Sequence, residues 1–274
     1  MANLEREISG YHGGNRIIRR TSEEAARIFT KRKFSPGSLA NLDKAVTLWE
    51  SGKETWVTSN HESDADGPLA SLSLREGGHP EVSEAMFILM GDKILRKWLR
   101  GLVASSYHHV IVPQPGSGNG QTRELLHTAS MAIPRLFEEG MVAFTFPEGT
   151  RSRDGKLHHA TPVLGHFIGD EAVVLPMALD GARELWPVEG RPNPGREITF
   201  HFGKPILISE VLEEIDCFEE TTGTKVTKNK KNEIIVDTIM RRGIAPLLPF
   251  DERGDYSNSL VSIKDLMKNG NHKG

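Results

Sequence analysis

Residues 55–71 read TWVTSNHESDADGPLAS and set one histidine and three acidic residues at the end of an apolar run. Thr55 to Thr58 reads as a short buried strand, because Trp56 and Val57 supply the bulk that a packed, pleated surface favours. Ser59 and Asn60 break the run. Past Asp66, Gly67 and Pro68 open an apolar helical stretch from Leu69 to Leu74, where a proline in the first turn is tolerated. The polar cluster therefore falls on a loop between a strand and a helix, where α/β proteins usually keep their chemistry. Three readings compete for it: a metal cluster, a catalytic base with its orienting acid, and a decorated helix cap.

Working outward, the same alternation repeats. Residues 1–20 are mixed and are expected to be poorly ordered. TSEEAARIFTKRK, residues 21–33, has a Thr/Ser cap, early glutamates and late basic residues, the charge order a helix dipole favours. A second helix restarts after Pro36, with Leu39, Leu42, Val46 and Trp49 spaced for one face, and stops near Gly52. Downstream, Met86 to Met90, HVIVP (109–113) and MVAFTF (141–146) read as short strands, as do AVVLPMAL (172–179) and REITFHFGKPI (196–206). A helix carrying Ile94, Leu95, Trp98 and Leu99 lies among them, as does a longer one over 122–140, kinked at Pro134 and capped at Gly140. Strands alternating with helices predict an α/β fold: a mixed, largely parallel sheet flanked by helices, with a short N-terminal helical segment. The predicted division is a helical segment over 1–50, a catalytic core over 51–210, and helices with a polar tail over 211–274.

Composition narrows the function. A net charge of -3 is not that of a nucleic-acid binder, and no nucleic-acid partner is expected. The one cysteine, Cys217, excludes an intrachain disulfide and a Cys-rich zinc site, and fits a reducing compartment. MANLEREISG at the start is charged and lacks the apolar core of a secretory signal. No window reaches the roughly 18 apolar residues that a membrane span needs.

Two strand-to-loop junctions carry the unusual polar residues. The first is Asn60-His61 with Asp66, and the second runs from Phe146 to Gly155 as FPEGTRSRDG. If both strands are parallel members of one sheet, both loops emerge at one edge and bring a histidine, a carboxylate and two arginines around one crevice. Histidine is the side chain best suited to take a proton near neutral pH, and a nearby carboxylate sets its tautomer. No protein nucleophile accompanies the pair, so the hydroxyl to be activated belongs to a substrate. Arg151 and Arg153 supply fixed positive charge for a phosphate or carboxylate, Gly149 lets backbone approach a ligand, and Glu148 is placed to cap loop amides. Alone, either loop reads as a solvated turn. The pairs His108-His109 and His158-His159 lack metal-chelating spacing, because adjacent residues rarely chelate one ion. DADG at 64–67 opens like a calcium loop but has no glutamate at the required later position.

Taken together, the two loops are far more specific. Asn60-His61-x4-Asp66 followed by Phe146-Pro147-Glu148-Gly149-Thr150-Arg151-Ser152 resembles the glycerolipid acyltransferase superfamily, which includes glycerol-3-phosphate and 1-acylglycerol-3-phosphate (lysophosphatidate) acyltransferases. The resemblance extends from about Trp49 to Ile208, taking in AVVLPMAL as the family's proline-containing strand and FGKPI as its closing segment. WVTSNHESDAD with GDKIL looks closest to the soluble plastid glycerol-3-phosphate acyltransferases, whereas FPEGTRS is typical of lysophosphatidate acyltransferases.

The resemblance implies a general base at His61 with Asp66 orienting it. It implies an acceptor side formed by Glu148, Gly149, Thr150 and Arg151, with Arg153 auxiliary. It further implies acyl transfer from an acyl thioester, acyl-CoA or acyl-ACP (acyl carrier protein), to a hydroxyl of a glycerol-phosphate or lysophospholipid acceptor, with no metal and no cofactor beyond the co-substrate. One departure stands out: HVIVPQPGSG offers Pro113 and Gln114 where the family has a strand ending in a basic residue, leaving His108 or His109 as the possible substitute.

The rival resemblance is to the manganese-dependent DHH phosphoesterases, whose first motif NHESDADGPLAS is similar to, but neither HH pair here follows the Asp that family requires. A cytoplasmic location with reversible peripheral membrane contact is expected. The contact surface would be the N-terminal helices or the basic run KILRKWLR, in which Lys93, Arg96, Lys97 and Arg100 surround Trp98.

Overall fold

The computed structural model of the chain describes residues 8–91, 94, 98–113, 119–258 and 262–268. Among the described residues nine strands form one sheet: β1 (Tyr11–His12), β2 (Thr30–Phe34), β3 (Thr55–Ser59), β4 (Met86–Met90), β5 (His108–Ile111), β6 (Val142–Thr145), β7 (Val173–Asp180), β8 (Arg196–Phe202) and β9 (Ile206–Leu207). The helices are α1 (Arg16–Phe29), α2 (Ser38–Glu50), α3 (Asp66–Glu76), α4 (Pro80–Ala85) and α5 (Trp98–Ala104), then α6 (Asn119–Glu138), α7 (Ala182–Leu185), α8 (Ile208–Thr222), α9 (Lys228–Thr238) and α10 (Ile263–Lys268).

The strand order is β1-β5-β4-β6-β3-β7-β8-β2, with β9 on β7. The central run β5-β4-β6-β3-β7 is parallel throughout. β1 and β8 run antiparallel to their neighbours β5 and β7, and β2 lies parallel to β8. The sheet is thus mixed and largely parallel, as the sequence predicts.

The short apolar runs become central strands because both faces of the sheet are covered. Every residue of β3, β4 and β6 is buried, the pattern of parallel strands with helices on both sides. Alternate side chains feed opposite cores. Trp56, Ala143 and Val174 sit side by side in register and face one cluster with Ile133, Leu136 and the C-terminal helices. Their neighbours Val57, Phe144 and Leu175 face the other, with Leu42, Leu69 and Leu74 from α2 and α3.

The N-terminal region departs from expectation. The first helix starts at Arg16, capped by Asn15, whose Oδ1 accepts from Ile17 N and Ile18 N at 3.1 Å. Tyr11–His12, in the stretch expected to be poorly ordered, pairs with β5. Thr30–Phe34 is not the end of the helix but an edge strand paired with β8. The late basic residues that read as a helix C-terminus instead place Lys31 and Lys33 on the exposed side of that strand, where charge guards a sheet edge. Pairing with a strand far along the chain overrides the local dipole signal.

Of the basic run expected to touch lipid, Lys93, Arg96 and Lys97 lie outside the described residues. Among the described residues no helix is long and apolar enough to cross a membrane.

Candidate active site

β3 and β6 are adjacent and parallel, with Thr58 opposite Thr145. The loops that follow them therefore leave the sheet side by side at its C-terminal edge, the usual place for a ligand in an open α/β sheet. Asn60 anchors the first loop: its Oδ1 accepts from Leu179 N at 2.9 Å and its Nδ2 donates to Glu62 Oε1 at 3.1 Å. Asp66, buried at the start of α3, receives Glu62 N at 2.7 Å and Ser63 N at 2.8 Å on Oδ2. The same oxygen lies 2.7 Å from His61 Nδ1. Two backbone donors make Oδ2 an acceptor, so Nδ1 carries the hydrogen and, in the neutral ring, Nε2 holds the lone pair. Phe146 stacks on the imidazole at 3.8 Å and 11°, fixing its plane.

This geometry bears on the cap reading of the cluster. The amides that Asp66 receives precede the helix, and the N-cap residue Ala65 makes no side-chain cap bond. The acid orients the loop and the imidazole and does not cap α3. Among the described residues no group of three or more His, Cys, Asp or Glu side chains is placed to hold a metal.

The second loop is tied to the first. Glu148, 3% exposed, accepts His61 N on Oε1 at 3.3 Å and His158 N on Oε2 at 2.9 Å. Burial pushes its carboxyl up to about 7 in spite of these two bonds, which favour the ionised form. Ser152 N donates to His61 O at 2.7 Å, so the histidine is gripped on both sides of its backbone. Gly149 turns the loop with a φ of 67°, a left-handed value that favours glycine, and its N–H closes on Phe146 O at 2.9 Å.

The arginines are not two free cations. Arg151 Nη1 is ion-paired with Asp64 Oδ1, whose side chain is almost wholly buried. A half-buried guanidinium needs a counter-charge, and the first loop supplies it. Arg153 is 77% exposed and donates to Glu189 Oε1 at 3.2 Å, and Thr150 is exposed. The structure thus brings His61, Asp66, Glu148 and Arg151 together and leaves Arg153 at the surface.

Two acids of the first loop have no role at the site in the sequence reading. Asp64 is one. Glu62 is the other: it is 4% exposed, and burial, reinforced by Asp66, Glu252 and Glu148, pushes its carboxyl up to about 8. Their proximity to Asp66 in sequence was the available signal, but the partner of Asp64, Arg151, comes from the second loop, and the burial of Glu62 beside Glu148 and Glu252 is set by distant segments.

Beside Phe146 a cleft opens at the ends of β4, β5 and β6. Leu89, Val112, Gly149, Leu164 and Phe167 contribute to its wall, and none of its described lining residues is charged. Pro113 stands at its β5 rim. His108 and His109 cannot replace a cation there, because they begin β5, opposite Phe87 and Ile88, at the far end of the strand. His108 Nδ1 is held by Tyr11 OH at 2.6 Å and Gly14 N at 3.1 Å, and His109 stacks on His12. His158 and His159 face separate acids, Asp154 at 2.9 Å and Asp255 at 3.6 Å.

An oriented imidazole beside a cleft whose described lining residues carry no charge can take a proton from a hydroxyl held next to an alkyl chain. Comparison with known proteins agrees in kind. Residues 19–179 match the model of the Acyltransferase family. No curated protein matches the chain. Among solved structures the chain is similar to the 1-acyl-sn-glycerophosphate (LPA) acyltransferase PlsC from Thermotoga maritima, with 20% identity, a TM-score of 0.45, and coverage of 77% of this chain and 80% of that one. Because the family match spans more than half of the 274 residues and contains both loops and the strands that carry them, the chain belongs to the Acyltransferase family.

Proposed function

We propose that the protein moves a fatty acyl group from an acyl thioester, acyl-CoA or acyl-ACP, to a hydroxyl of glycerol-3-phosphate or 1-acylglycerol-3-phosphate in phospholipid biosynthesis. The observation that carries this reading is the 2.7 Å contact between His61 Nδ1 and Asp66, with the imidazole stacked on Phe146 of a cleft whose described lining residues carry no charge, in a chain of this family. His61 Nε2 takes the acceptor's hydroxyl proton as the oxygen attacks the thioester carbonyl. The tetrahedral adduct collapses with cleavage of the C–S bond, and the imidazolium returns the proton to the departing thiolate. Asp66 keeps the ring in the useful tautomer and stabilises its charged form.

On the acceptor side, Arg151 is the fork for the phosphate, held ready by Asp64, with Gly149 and Thr150 shaping the loop and Arg153 auxiliary at its rim. Glu148 holds the loop against His61. A thioester-release assay with acyl-CoA and acyl-ACP across a panel of acceptors tests the reading. The expected result is thiol release dependent on glycerol-3-phosphate or its 1-acyl derivative. Release with neither donor and neither acceptor overturns it.

A phospholipid product leaves for a bilayer, so the proposal includes reversible membrane contact from the cytoplasmic side. Ile17, Ile28 and Phe29 of α1 are exposed beside Arg16, Arg27 and Lys31, a pairing of apolar and basic side chains that suits an anionic surface. Flotation with anionic vesicles at low and high salt reads this directly, and no binding at either salt removes it.

A further inference from the structure

We propose that the C-terminal segment Glu252–Tyr256 is a positioning element of the active site, with Tyr256 as its principal positioning residue. The inference rests on the reading of His61 as the base, and it lies beyond both the family match, which ends at residue 179, and the core expected to close by residue 210.

The loop Leu157–Thr161 runs between two supports. On one side it meets the C-terminal segment: Leu157 N donates to Glu252 O at 2.9 Å, Asp255 N donates to Leu157 O at 3.1 Å, and Ala160 N donates to Tyr256 OH at 2.8 Å. On the other side it meets the second active-site loop: His158 N donates to Glu148 Oε2 at 2.9 Å and Thr161 N to Pro147 O at 2.8 Å. The bonds alternate between supports, so the ribbon transmits position from one to the other. Glu148 passes it on through the 3.3 Å bond from His61 N. Thr161 also lines the cleft, so the same ribbon sets one of its walls.

The support itself is built to be firm. Tyr256 is 2% exposed, and the Arg241 guanidinium lies 5.1 Å from its ring centroid. Gly254 has a φ of 47°, and a Cβ there would lie inside contact distance of Leu157 O. Only glycine allows the two backbones to approach so closely. A tyrosine hydroxyl accepting from a loop amide leaves that amide without a partner when it is removed, while the ring keeps its packing.

The test uses the full chain. Tyr256→Phe is expected to lower kcat about tenfold, the size of one buried hydrogen bond lost where it matters, with both substrate KM values within about twofold. Amide hydrogen exchange at His158 and Ala160 should quicken while β7 amides stay unchanged. Gly254→Ala should reproduce both effects. Gly223→Ala, also at a left-handed glycine but with open space around it, should leave kcat as in the wild type. A wild-type kcat in Tyr256→Phe overturns the proposal. So does a loss of kcat accompanied by equally faster exchange in β7, which would mean general loosening. Absence of acyl transfer in the wild type strikes the functional reading instead, and unchanged exchange at His158 and Ala160 in Tyr256→Phe would still refute the support on its own.

Discussion

His61 and His108 stand at opposite ends of the same parallel sheet, and each has its Nδ1 in a short hydrogen bond. His61 follows β3 and turns Nδ1 to a carboxylate oxygen at 2.7 Å. His108 opens β5 and receives Gly14 N at 3.1 Å on Nδ1, where Tyr11 OH also lies at 2.6 Å. The first partner accepts and the second donates, so the lone pair of the neutral ring is on Nε2 in His61 and on Nδ1 in His108. His61 sits beside a cleft, whereas His108 is 4% exposed and its lone pair is occupied by protein. Residue type does not separate the proposed base from a structural histidine. The polarity of its partner and the end of the strand it occupies do.

The sharpest way to break this comparison is to remove each ring. His61→Ala should keep the fold and cut turnover by about 10²–10⁴, as expected for loss of a general base. His108→Ala should do the reverse, lowering the melting temperature while leaving turnover per folded molecule near the wild type. Equal losses of turnover in the two variants would erase the distinction drawn here.

Asp66→Asn comes next. An amide in place of the carboxylate permits the wrong tautomer, so a loss of about 10² or more in kcat is expected, with thermal unfolding showing a folded protein. An unaffected rate would reduce Asp66 to an anchor for Glu62 N and Ser63 N.

The His61 end of the sheet should also show a pH response. Glu62, beside His61, has its folded value raised from 4.5 to about 8, chiefly by burial. The folded chain therefore holds a proton that the unfolded chain releases. That contribution is fully present below about pH 4.5 and is lost as pH rises toward 8. Glu148 and Glu252, each pushed up to about 7, act in the same direction. Stability should fall between pH 5 and 8, and Glu62→Gln should flatten the fall by a few kcal/mol, since each pH unit of separation is worth about 1.4 kcal/mol. Melting curves for the two proteins that stay parallel across this range would refute it.

The smallest effect expected is at Arg151. Replacing the fork with a point charge in Arg151→Lys should raise the KM for a phosphorylated acceptor by about tenfold and alter the donor KM less. A shift confined to the donor would assign the arginine to the phosphates of coenzyme A or of the carrier protein.

Local chemistry in the sequence made much of this visible. The apolar runs Thr55–Thr58, Met86–Met90 and Val142–Thr145 announced buried strands because fully covered strands need no polar face. The loops after two of them, with His61, Asp66 and FPEGTRS, were conspicuous because polar clusters at strand ends have no role in packing. From parallel pairing alone, their meeting at one edge follows, and β3 beside β6 satisfies it.

Folding the chain decided the rest. Arg151 looked like a free cation because its counter-ion, Asp64, lies 87 residues away. Thr30–Phe34 looked like a helix end because its sheet partner β8 begins only at Arg196. The hold of Tyr256 on Ala160 crosses 96 residues, from a segment with no motif of its own. Sequence by itself determined the central buried strands, the family and the candidate dyad, since strand burial and a histidine five residues before an aspartate are local matters. Tertiary structure determined which charges are neutralised, which histidine has an open lone pair and which segment holds the amides of Leu157–Thr161, because each of those depends on a partner that only long-range packing brings within hydrogen-bond reach.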